Sequence, residues 1–163
     1  FRTPAEGHNV AFTSLWDNYP DSLEIPLKGK ASRAYLLMAG STNHMQCHID
    51  NGVIRIYYKD GTRDVMFLRN PDNWPPIEHI FFEDGLAFNR HTPALYRLRL
   101  KTGEISNNFG EELGFPGASR ELDGGAAVLL EMPLNPGKKL SHLVLETLSN
   151  DVVIGLMSIT LQR

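Results

Sequence analysis

Short runs in which apolar and polar residues alternate, broken repeatedly by Gly, Pro, Asn or Asp, fill most of this chain. In Ser22-Leu-Glu-Ile-Pro-Leu-Lys28, Leu23, Ile25 and Leu27 fall on one side of an extended backbone, with Glu24 and Lys28 on the other. Pro26 has no N–H to donate, which predicts a sheet edge or a bulge. The run Ala34-Tyr-Leu-Leu-Met-Ala39 is apolar on both faces, the pattern of a central strand covered on both sides. Strands at 53–59 and 64–69 flank Asp60-Gly61, a hairpin signal. Across 94–101, Tyr96, Leu98 and Leu100 are expected inward, with Arg97, Arg99 and Lys101 in solvent; Thr102-Gly103 then turns into Glu104-Ile105-Ser106. Further strands are predicted at 126–134, 140–148 and 152–162, the last two joined by a polar Ser149-Asn150-Asp151 turn.

Sustained helical periodicity is missing. Only single turns are expected, near 76–82 and 111–113. Roughly eight to ten short strands joined by short turns predict an all-β protein, a sandwich or a barrel, and the expectation adopted is an antiparallel β-sandwich forming a single domain over 1–163. The irregular stretches 70–88 and 107–125 are long for such a fold, and long loops on a β scaffold usually bind or dock.

Composition narrows the function. A chain of 163 residues can bury an adequate core without disulfides or a structural metal, and its one cysteine, Cys47, excludes an internal disulfide. The net charge of −3 leaves no electrostatic footprint for nucleic acid or an anionic membrane. No apolar run approaches the ~18 residues of a membrane helix. Phe1 in place of Met suggests a processed or excised product, and the expectation is a C-terminal fragment of a larger protein.

Most candidate chemistry fails on inspection. His44-Met-Gln-Cys-His48 sets two imidazoles four apart, but the segment does not read as a helix, and the spacing is that of neither a zinc finger nor a zinc-protease helix. These histidines are read as ordinary loop residues; no metal and no cofactor is expected. Cys47 and His48 are sequence neighbours that face opposite ways on a strand, a poor nucleophile–base pair. Asp50-Asn51-Gly52 reads as a turn rather than a calcium loop. No nucleophile elbow, phosphate loop or dinucleotide fingerprint is present. The carboxylates of glycoside hydrolysis are defined by their separation in space, which the sequence does not show, so the acidic pairs Glu83-Asp84 and Glu111-Glu112 are not read as catalytic. No catalytic residue is assigned. Two loops carry more promise: Trp16-Asp17-Asn18-Tyr19, and Asn70-Pro-Asp-Asn73-Trp74-Pro-Pro. Sugar recognition needs aromatic faces together with rigid amides and carboxylates. Trp16, Asp17, Asn18, Tyr19, Asn73 and Trp74 are therefore the expected ligand-binding residues, although large aromatics also plug sandwich ends.

The segment Leu23-Glu-Ile-Pro-Leu-Lys-Gly29 followed by Ala31-Ser-Arg-Ala-Tyr-Leu-Leu-Met-Ala39 is similar to galactose-binding-like jelly rolls, as are the Tyr57–Asp64 hairpin, Asn70-Pro71 with Trp74, and the terminal run from Pro133 to Leu161. Leu15-Trp-Asp-Asn-Tyr-Pro-Asp-Ser22 with Met38-Ala-Gly-Ser-Thr-Asn43 resembles, more narrowly, the accessory β-sandwich of large glycoside-hydrolase-like proteins secreted by gut bacteria that degrade polysaccharides. The resemblance spans residues 10–162. It implies a jelly-roll, a secreted, periplasmic or cell-surface location, and a non-catalytic module of a carbohydrate-active protein whose parent is a glycoside hydrolase. The implied partners are a polysaccharide or oligosaccharide held in end loops and the catalytic domain of the same polypeptide. The alternative role is a structural module that packs on that catalytic domain and binds nothing. An isolated module of either kind is expected to hydrolyse no glycoside.

Overall fold

The computed structural model describes residues 6–79, 89–109 and 122–163. Ten strands are formed among them: β1 (Ala11–Ser14), β2 (Ser22–Pro26), β3 (Arg33–Thr42), β4 (Gly52–Tyr58), β5 (Arg63–Leu68), β6 (Arg97–Arg99), β7 (Ile105–Ser106), β8 (Ala126–Pro133), β9 (Leu140–Thr147) and β10 (Val152–Gln162). They make two antiparallel sheets, a six-stranded one in the order β1-β10-β3-β8-β6-β7 and a four-stranded one in the order β2-β9-β4-β5. The molecule is an all-β antiparallel sandwich.

Alternation places the core between the sheets. From the larger sheet come Ala34, Leu36 and Met38 of β3, Leu130 of β8 and Ile154 of β10; from the smaller come Ile54 and Ile56 of β4 and Leu143 and Leu145 of β9. Each such aliphatic side chain contributes on the order of 1.5–3 kcal/mol by leaving water. Leu23, Ile25 and Leu27 face this core, and β2 lies at the edge of its sheet, where the missing N–H of Pro26 costs no ladder bond. β3 is central, as its two-sided apolar pattern predicts. The Asp60-Gly61 hairpin joins β4 to β5, with Gly61 at φ 83°.

In β10 the inward residues change phase. Ile154 and Leu156 face the core on even positions, whereas Ile159 and Leu161 do so on odd ones. A register shift between Leu156 and Ser158 absorbs the extra residue, so all four stay opposite the inward row of β3.

Three features add to or differ from the sequence reading. β9 and β10 follow one another in sequence but lie in opposite sheets, so the predicted polar turn at 149–151 crosses from one sheet to the other. The register of β6 is inverted: Arg97 is buried, while Tyr96 and Leu100 are exposed and Leu98 is only partly covered. β1 is an additional strand that its weak apolar pattern conceals. The turn expected at 76–82 is described only as far as His79, and the one at 111–113, with the pairs Glu83-Asp84 and Glu111-Glu112, lies outside the described residues.

Candidate functional site at the loop end of the sandwich

The strand registers gather several loops at one end. Ser14 stands opposite Val153, Val152 opposite Thr42, Ser22 opposite Glu146, and Gly52 opposite both Thr147 and Leu68. The loops that follow β1, β3 and β5 and the β9–β10 turn therefore leave from the same rim. Buried polar groups fasten that rim. Ser14 Oγ donates to the Val152 carbonyl at 2.7 Å, and Thr147 Oγ1 donates to Thr13 Oγ1 at 2.8 Å. Asn51, fully buried, joins three loops: its N–H donates to Leu68 O, its Oδ1 accepts from Asn70 N–H, and its carbonyl accepts from Leu148 N–H. The β3–β4 loop also docks on the start of the β5–β6 segment through a parallel bridge between Cys47 and Asn70, where His48 N–H donates to Asn70 O at 2.7 Å.

The expected ligand residues divide sharply. Trp16 and Tyr19 are exposed, with ring centroids 6.4 Å apart and planes 53° from parallel, and Phe12 meets Tyr19 edge-on. Asp17 and Asn18 are exposed between them. This is a tilted aromatic surface, not a flat platform. Trp74 is fully buried and packs on Gly40 of β3, so it is a core plug and offers no stacking face. Asn73 is occupied by its own turn: Oδ1 accepts from Arg69 N–H at 2.7 Å and Nδ2 donates to Phe67 O at 2.8 Å.

Beside this turn lies a recess of about 70 Å³ that the sequence did not reveal. Asp72 and Arg90 come from the β5–β6 segment, Arg97 from β6, and Ser106, Asn107, Asn108 and Phe109 from β7 and its continuation, with Leu95 and Pro75 as apolar wall. The Arg97 guanidinium donates to the carbonyls of Pro76, Ile77, His79 and Ala126, tying that segment to β8. Burial, partly opposed by the nearby Glu78 charge, pulls its pKa down to about 10. Its Nε–H has no hydrogen-bond partner among the described residues. Four of its contacts are therefore made by backbone carbonyls, and among the described residues Nε–H is the donor left at the wall of this polar recess.

The histidines are rearranged relative to the sequence reading. His44 turns to His79, with ring centroids 4.6 Å apart, and its Nε2 stands 4.0 Å from Glu78 Oε1. His48 instead meets His91 at 4.5 Å between centroids, and the Nδ1 atoms of both face Asp72 Oδ2, at 4.0 and 3.6 Å. Asp72 is held in place by His91 N–H on Oδ1 at 2.7 Å and by Thr92 Oγ1 on its carbonyl at 2.8 Å. His48, Asp72 and His91 present ligand atoms within 4.8 Å of one another, a set with metal-binding chemistry. Nothing at 44–48 announces this, because the partners lie in a different loop.

No protein-family model matches the chain, and neither a curated protein nor a solved structure matches it.

Proposed function

We propose that this sandwich is a non-catalytic accessory module of a secreted carbohydrate-active protein, of the galactose-binding-like jelly-roll kind, and that it holds a glycan at its loop end. The observation that supports this reading best is the recess. Carboxylate, guanidinium, amide and hydroxyl groups from Asp72, Arg90, Asn108 and Ser106 surround one small concavity, with Phe109 and Leu95 supplying apolar surface. Sugars need that combination of fixed polar partners and C–H contacts. The exposed Trp16 and Tyr19 rings lie between β1 and β2, at the opposite edge of the sandwich from the recess beside β5, β6 and β7, and form a separate aromatic surface. A shallow site pairs hydroxyls that water already satisfies, so affinity should be weak, on the order of 10 µM to 1 mM. Calorimetry and glycan-array screening with the wild type and Asn108→Ala test the reading. Saturable binding that Asn108→Ala weakens about tenfold supports it; silence across plant, algal and host glycans overturns it.

The second reading, a structural module packed on a catalytic domain, is favoured by Val65 and Phe67 on the outward side of edge strand β5, both exposed, and by Phe12, Leu15 and Trp16 near the rim. Apolar groups placed so openly are common where a partner covers them.

A further inference from the structure

We infer that His48, Asp72 and His91 form a binding site for a divalent transition-metal ion, best suited to zinc, at the mouth of the β5–β6 segment. The inference goes beyond glycan recognition and stands on geometry that does not involve a sugar. Two imidazole nitrogens and one carboxylate oxygen face a common gap. His48 Nδ1 and His91 Nδ1 stand 4.0 and 3.6 Å from Asp72 Oδ2, close enough for one ion to reach all three atoms. An ion with metal–nitrogen and metal–oxygen bonds of about 2.0–2.2 Å sets tetrahedral donors roughly 3.4 Å apart. The Asp72–His91 distance already nearly matches, and the other donor pairs, all within 4.8 Å, must close by up to about 1.4 Å. The His91 side chain, 64 % exposed on its loop, has the freedom to do so.

The remaining contacts prepare the donors. His91 N–H occupies Asp72 Oδ1, which leaves Oδ2 as the coordinating oxygen. Second-shell bonds of this kind orient ligands and are a regular part of metal sites. His48 is anchored from the other side by its N–H bond to Asn70 O, which ties the β3–β4 loop to the segment carrying Asp72. Nitrogen donors select against calcium and magnesium, which prefer all-oxygen shells, and favour zinc and its neighbours. Three protein ligands leave one position open. Asp72 also borders the recess, so that position is available to an oxygen of a bound ligand.

The test uses the full chain stripped with chelator, then titrated with Zn²⁺ by calorimetry and with Co²⁺ by visible absorption. One equivalent of Zn²⁺ is expected, with cobalt d–d bands of the intensity typical of four-coordination and no response to Ca²⁺ or Mg²⁺. Asp72→Asn keeps the acceptor for His91 N–H, and His48→Asn suits the backbone there, at φ 57°. Each of these, and His91→Ala, should weaken zinc binding at least tenfold with an unchanged circular dichroism spectrum, whereas His44→Ala and His79→Ala should not. Absence of saturable Zn²⁺ and Co²⁺ binding, or binding that survives the His48→Asn/His91→Ala double variant, overturns the site. Glycan titrations run with and without chelator are read separately: a metal site without glycan affinity removes only the carbohydrate proposal.

Discussion

Gly40 and Trp74 are packed so closely that a Cβ on the glycine would stand 2.8 Å from Cζ2 of the indole and would also collide with the carbonyl oxygen of Val153. Trp74 thereby closes the core at the rim, from the same loop that carries Asp72. Gly40→Ala forces either the indole or β10 to move and should cost roughly 1–3 kcal/mol, read as a lower urea midpoint with an unchanged slope. Of the two tryptophans, Trp74 should be inaccessible to acrylamide and Trp16 fully accessible, so quenching in Trp16→Phe should be nearly abolished.

Arg97 and Tyr96 decide the register of β6. Arg97→Met removes the donor for four backbone carbonyls and should destabilise by about 2–4 kcal/mol. Tyr96→Ala, at an exposed position, should stay within about 1 kcal/mol. Chemical denaturation of both variants checks the pair, and the reverse ranking would mean that the alternation is inward at Tyr96 after all.

Tyr58 predicts an alkaline limb. Its hydroxyl is buried and donates to Asp64, and these push its pKa up to about 12 from the usual 10.0; the Asn135 N–H that donates to it at 2.8 Å opposes the shift. The folded state therefore keeps a proton that the unfolded chain releases above pH 10, so stability falls as pH rises from about 10 to about 12. The loss should be on the order of 1–2 kcal/mol after allowance for solvent screening. Thermal melts across that range should show the decline, and Tyr58→Phe, although less stable at neutral pH, should flatten it.

At the recess, Arg90→Ala and Asn108→Ala should each lower glycan affinity about tenfold, equivalent to roughly 1.4 kcal/mol, without shifting the melting temperature by more than a degree or two. Trp16→Ala should leave affinity at the recess unchanged, because its ring lies between β1 and β2 at the opposite edge of the sandwich. Trp74→Ala is expected to unfold the rim, and its effect on binding then follows stability.

The candidate site was legible only in part. Exposed Trp16 and Tyr19 stand where an aromatic, amide-rich loop was expected, but Trp74, drawn from an equally suggestive loop, is consumed by the core, and Asn73 by its own turn. Local composition is the same for a ligand loop and a capping loop; what separates them is the surface each meets. β1 escaped notice for a related reason. Its buried residues are the polar neighbours Thr13 and Ser14, satisfied by Thr147 and Val152, so the hydrophobic alternation that marks other strands is missing.

By itself the sequence determined the class of the fold, the identity of the long strands, the edge position of β2 and the centrality of β3, because each of these is encoded in a two-residue period or in a single residue such as Pro26. Tertiary structure alone decided that β9 and β10 part into opposite sheets, that Arg97 turns inward to hold the carbonyls of the 76–79 segment, and that His48 meets Asp72 and His91 rather than His44. Those outcomes depend on pairings between distant segments, such as the bridge from Cys47 to Asn70, and a local period of apolar residues carries no information about which loops a closed sandwich brings together.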